Sequence, residues 1–151
     1  MDKEWLEDWE KEQKAAEEKA KESIPSWIER GKALIFPERY EEWEQCVQVR
    51  AKDLYHGMDL DAALEIMEVL DKGASIEEAK KILDDQNHSG MSDSIVRNII
   101  FHFSSKGPEF WEATSFERIP LETRRIIKAK KKENKQLAEA HAKTNGSRKH
   151  M

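Results

Sequence analysis

Glycine and proline are scarce in this 151-residue chain, with six and four residues, and Cys46 is its one cysteine. A single cysteine excludes a disulfide within the chain and a Cys-based metal cage, and it fits a reducing compartment. Long apolar runs are missing too. The longest, Ala33 to Phe36, is four residues, whereas a membrane-spanning helix needs about 20. Met1-Asp2-Lys3-Glu4-Trp5 lacks the basic segment and apolar stretch of a secretory signal. These absences predict a soluble intracellular, cytoplasmic protein with no membrane contact. Apolar residues make up only 38% of the chain and charged residues also 38%. The first is below and the second well above the globular average, so the core is modest and part of the chain is solvated helix.

The charge that is present is sorted by position. Residues 1–22 carry nine acids and five bases, a net of -4; residues 23–117 carry nineteen and ten, a net of -9; residues 118–151 carry three and eleven, a net of +8. An acidic body with a basic tail implies either that the tail finds an anionic partner or that it folds back on the body.

β-branched alternation is absent, and apolar residues recur at spacings of three and four almost everywhere, which predicts an all-α fold. The expected architecture is a small orthogonal helical bundle over residues 24–117. It is flanked by an acidic amphipathic arm, 1–22, and by a basic helix with a disordered tail, 118–151, the disorder covering 144–151. Trp5, Leu6, Trp9, Gln13, Ala16 and Ala20 form one stripe on the first helix. The two tryptophans need a cover, and docking onto the chain's own core is favoured over a partner site. Ser23-Ile24-Pro25 is expected to end this helix, because proline disfavours helix in the residue before it. Ser26 and Glu29 then have the spacing of a capping box. A short helix through Trp27 and Ile28 follows, either interrupted near Gly31 or running on to Phe36, and then a helix over 37–56 capped by Gly57. Asp59 caps a helix ending at Gly73; Ser75 and Glu78 open the next; a polar loop spans 84–91. Ser92 starts a helix whose stripe, Ile95, Val96, Ile99, Ile100 and Phe103, is the most apolar in the chain and is placed at the centre of the fold. Lys106-Gly107-Pro108 breaks the chain before Phe110 and Trp111. Pro120 opens the last helix, where 128–136 offers almost nothing to bury.

Two segments carry the functional expectations. Residues 60–105 loosely resemble a helix-turn-helix, with Gly73, the Ser75-Ile76-Glu77-Glu78-Ala79 run and the Ser92 cap, although the loop between the helices is longer than usual. The resemblance covers about a third of the chain. It implies an outward face of Ser94, Arg97, Asn98, Phe101 and Ser105, from which Arg97 and Asn98 would reach guanine and adenine edges of duplex DNA. The second segment is the basic helix. Arg124, Lys128, Lys131 and Lys135 share a face by spacing, with Arg125 beside them, and such a face tracks phosphates in a salt-dependent way.

No histidines lie three or four apart, the calcium-loop pattern is missing, and no phosphate-cradling glycine loop or nucleophile elbow occurs. No metal, cofactor, small-molecule ligand or catalytic residue is therefore expected. Non-catalytic macromolecular binding remains. The leading expectation is duplex DNA, read by Arg97 and Asn98 and held by Arg124, Arg125, Lys128, Lys131 and Lys135. The alternative is a protein-interaction or oligomerisation module, a homodimer included, that uses Trp5 and Trp9.

Overall fold

A computed structural model describes residues 2–52, 54–86, 90–115 and 118–149. Among these residues the chain is an all-α bundle without strands. Its helices are α1 Asp2–Lys32, α2 Tyr40–Arg50, α3 Leu54–Asp71, α4 Ile76–Asp85, α5 Gly90–Phe103, α6 Gly107–Thr114 and α7 Leu121–Lys149, with a 3-10 turn at Pro37–Arg39.

The core forms where the apolar stripes of α1 to α6 meet. Trp27, Trp43, Val47, Leu60, Leu64, Ile66, Met67 and Leu70 are buried together with Ala79, Leu83, Val96, Ile99, Ile100, Phe103 and Phe110. The stripe predicted for α5 is the wall on which α3 packs from one side and α6 from the other. The chain turns at Gly73, whose φ of 100° a side chain rarely tolerates. The Ser75 hydroxyl then accepts the Glu78 amide at 3.1 Å, as its position predicts.

Three expected boundaries are overturned. First, α1 does not end before Pro25 but runs through it to Lys32. Proline inside a helix costs about 3 kcal/mol. Pro25 is exposed, and burial of Ala20 and Trp27 on either side offsets the cost. Polar contacts to α3 hold the segment beyond the proline. The Trp27 indole donates to Asp61 Oδ1 at 2.7 Å, and Arg30 pairs with Asp61 at 3.0 Å and with Glu68. The Ser26–Glu29 capping box is not used, since both residues lie inside α1.

Second, the break predicted at Gly57 falls earlier, after Arg50, and Gly57 lies inside α3. The Trp27 ring rests on it so closely that a Cβ would sit 2.4 Å away. Asp59 is likewise inside α3, where it accepts the Ser92 hydroxyl rather than capping a helix. Third, α7 is helical to Lys149, through most of the tail expected to be disordered. The polar loop expected over 84–91 is shorter, because α4 reaches Asp85 and α5 starts at Gly90; residues 87–89 lie outside the described residues.

No helix among the described residues is long and apolar enough to cross a membrane.

Candidate interaction surfaces

The face of α5 assigned to DNA is partly covered. Phe101 is buried, Arg97 and Asn98 are half-buried, and Ser94 and Ser105 are exposed. The covering element is α6. Trp111 packs edge-on to Phe101 at 5.6 Å and lies 4.5 Å beneath the Arg97 guanidinium. Arg97 Nε donates to the Thr114 hydroxyl at 2.9 Å, and its Nη2 donates to Ser115 Oγ at 3.2 Å. Burial lowers the Arg97 pKa from its ordinary value, with partial recovery from Asp93. The side chain is thus spent on joining α5 to α6. A cleft of about 350 Å³ beside it is lined by Arg97, Trp111, Ser115, Arg118, Pro120 and Thr123.

The basic helix divides into two faces. Its inner face docks through a polar seam, which is why a reading for apolar residues finds nothing to bury there. Ile127 and Asn134 are buried. The Asn134 amide donates to the Ser105 carbonyl at 3.0 Å, and Arg39 donates to Asn134 Oδ1 and, at 3.0 Å, to Glu133. Arg39 is 3% exposed. Phe36 lies 5.3 Å from its guanidinium, and its Nε and Nη1 find no hydrogen-bond partner among the described residues. Lys131, expected to face phosphates, pairs at the surface with Glu112 at 3.0 Å, both side chains partly exposed. Lys130 is half-buried, and desolvation, then repulsion from Arg39, lowers its pKa. Further along, the His141 ring stacks on Phe36 and meets Glu38 at 3.1 Å. The outer face of α7 presents Arg124, Arg125, Lys128, Lys132 and Lys135 to solvent, together with Leu121 at 65% exposure; Ile126, 58% exposed, lies about 140° around the helix from Leu121.

Hydrogen bonding from Arg39, the largest influence, holds the Glu133 pKa below its ordinary value. The stability this gives is present above the unfolded-state carboxylate pKa and is lost as pH falls through the lower folded value. Wild type is therefore expected to exceed Glu133→Gln in stability at neutral pH by no more than about 1 kcal/mol, since Glu133 is half exposed. That gap closes as pH falls below the ordinary glutamate value of 4.5. Denaturation of both proteins across this range checks it, and a gap that stays constant with pH contradicts it.

The most exposed aromatic surface lies on α1. Its inward stripe continues Trp5, Trp9, Gln13, Ala16, Ala20, Trp27 and Gly31 along one face at helical spacing. Only the C-terminal half of that stripe reaches the core, beginning at half-buried Ala16 and buried Ala20. Residues 3–15 are all exposed. The overhang is roughly 20 Å of helix at 1.5 Å per residue. Trp5, Leu6 and Trp9 are 60%, 42% and 51% exposed. The expectation that the chain's own core covers these tryptophans is overturned, because α1 passes beyond the edge of the bundle before reaching them. Around them, residues 2–12 hold six acids and two bases, a net of -4.

Cys46 is half-buried, and burial raises its thiol pKa. Among the described residues no group of three or more His, Cys, Asp or Glu residues is arranged to hold a metal ion. Comparison with protein-family models, with curated proteins and with solved structures gives no match to this chain.

Proposed function

We propose that the chain is a non-catalytic interaction module whose docking element is the N-terminal overhang of α1. The observation that carries this reading is the solvent exposure of Trp5, Leu6 and Trp9 on the very stripe that buries Ala20 and Trp27 further along. The rest of that stripe is covered by α2 and α3, so a partner laid beside the overhang continues an existing packing surface. Tryptophans presented on a rigid helix are efficient anchors, because each contributes a large area at little cost in side-chain entropy. The alternative of duplex DNA finds less support, since Arg97 is engaged with Trp111, Thr114 and Ser115, although the outer face of α7 keeps a phosphate-tracking charge pattern.

The reading predicts concentration-dependent assembly of the purified chain, or a defined complex with another protein, that is lost in Trp5→Ala/Trp9→Ala. Both side chains are exposed in the single chain, so the double variant keeps its fold, and its thermal midpoint matches that of wild type at concentrations where wild type is monomeric. Sedimentation velocity and circular dichroism measure the two properties together. Equal assembly by wild type and the double variant contradicts the reading.

A further inference from the structure

We infer that the overhang of α1 docks on the outer face of α7 in a second copy of this chain, each copy giving its arm to the other. The inference rests on the reading of the overhang as a docking element, and it names the occupant.

Charge complementarity is the first argument. Residues 2–12 carry a net of -4; the outer face of α7 opposes them with Arg124, Arg125, Lys128, Lys132 and Lys135, all exposed, in a stretch, 124–135, whose net is +6. Like-charged arms repel, which disfavours pairing of one α1 with another. Opposite signs on the arm and the basic helix attract, steer encounter and set the register.

Composition is the second. Both surfaces hold exposed apolar residues beside charge of one sign: Trp5, Leu6 and Trp9 among acids, Leu121 at the end of the basic face. Arg and Lys stems cover tryptophan faces well, and a guanidinium over an indole adds a cation–π attraction. The chain already makes that contact once, between Arg97 and Trp111.

Length and area are the third. The overhang and the basic stretch 124–135 both run roughly 20 Å. The arm's exposed apolar face offers roughly 300 Å². That is too little for a stable interface, which buries about 1,200 Å² or more in total. A two-fold arrangement engages the arm twice and α7 twice, which brings the total to about that size, and it closes the assembly at two copies instead of propagating a filament.

Charge exchange provides the test. One variant reverses the arm, Glu4→Lys/Asp8→Lys/Glu12→Lys; the other reverses the helix, Arg124→Glu/Lys128→Glu/Lys132→Glu/Lys135→Glu. All seven positions are exposed, and circular dichroism verifies that each variant is folded. Sedimentation velocity of the full-length chains is run at up to about 100 µM. The wild type is expected to dimerise, and more weakly as salt rises from about 50 to about 500 mM. Each variant alone is expected to dimerise at least about tenfold more weakly, because its arm and its helix now share a sign. An equimolar mixture of the two variants is expected to recover the dimer, because both contacts are again complementary.

If the mixture stays monomeric, or if each variant alone associates as well as wild type, α7 is not the occupant. Assembly that still requires Trp5 and Trp9 would then leave the docking element in place with a different partner. A wild-type chain that stays monomeric throughout overturns the second-copy inference, and salt-sensitive binding of duplex DNA by such a monomer would assign α7 to nucleic acid.

Discussion

Trp43→Ala is expected to destabilise the protein by about 3–5 kcal/mol, the range for deleting a fully buried aromatic side chain. Trp43 is 0% exposed. Its indole nitrogen donates to the Trp27 and Ile28 carbonyls at 3.1 and 3.2 Å, and its ring meets Phe103 edge-on at 5.1 Å. One side chain on α2 thus joins α1 to α5. The fit leaves no slack, since a Cβ on Gly31 would lie 2.0 Å from the same ring. Alanine removes the ring and leaves a cavity that three helices border. At about 2–4 °C per kcal/mol for a chain of this size, the midpoint falls by about 10 °C. The same substitution at Trp9, which is half exposed, is expected to shift stability by less than about 0.5 kcal/mol. Denaturant unfolding of the two variants measures the contrast. At concentrations where the chains are monomeric, similar losses from both would mean that the overhang is packed on its own chain.

Gly107→Ala is expected to cost about 1–3 kcal/mol and to loosen α6 selectively. A Cβ on Gly107 would stand 2.3 Å from the Ile100 carbonyl oxygen and 2.7 Å from Phe101 Cα. These neighbours are backbone atoms, so no side chain can rotate away and α6 has to shift off α5. Such a shift separates Trp111 from Phe101 and Arg97 from Thr114. Hydrogen exchange is therefore expected to quicken in α6 and in α4, which packs on it, and to change little in α2, which packs on α1 and α3. An unchanged α6 would contradict the close α5–α6 contact.

Helical content was legible because periodicity and caps act locally. Ser75 caps α4, Val96, Ile99 and Ile100 line the centre, and α6 begins at Gly107, all as their neighbours in sequence imply. Errors came where a distant residue overrode a local preference. Pro25 argues for a break, yet Trp27 and Arg30 beyond it find Asp61 and Glu68 on α3. Gly57 and Gly31 read as helix punctuation. In the fold each is a flat place for an indole, that of Trp27 and that of Trp43, and nothing near either glycine in the sequence announces it.

The candidate surfaces were half legible for the same reason. Trp5 and Trp9 stand out on any reading, but whether the core covers them depends on where the bundle ends along α1, and periodicity carries no such information. Arg97 lies on the polar side of the α5 stripe, and only the arrival of Trp111 from α6 turns it inward. On α7 the helical spacing grouped Lys131 with Lys128. The inner seam is built from Arg39, Glu133 and Asn134, polar residues that carry no hydrophobic signature.

The central claim is that the overhang of α1 lies against α7 of another copy. A photo-reactive amino acid in place of Gln13, exposed on the same stripe, in chains mixed with isotopically heavy chains, examines that contact directly and leaves both tryptophans in place. Cross-linked peptides that join position 13 of one isotopic form to residues 124–135 of the other are expected. Cross-links confined to a single chain, or none at concentrations where the wild type is assembled, would contradict it.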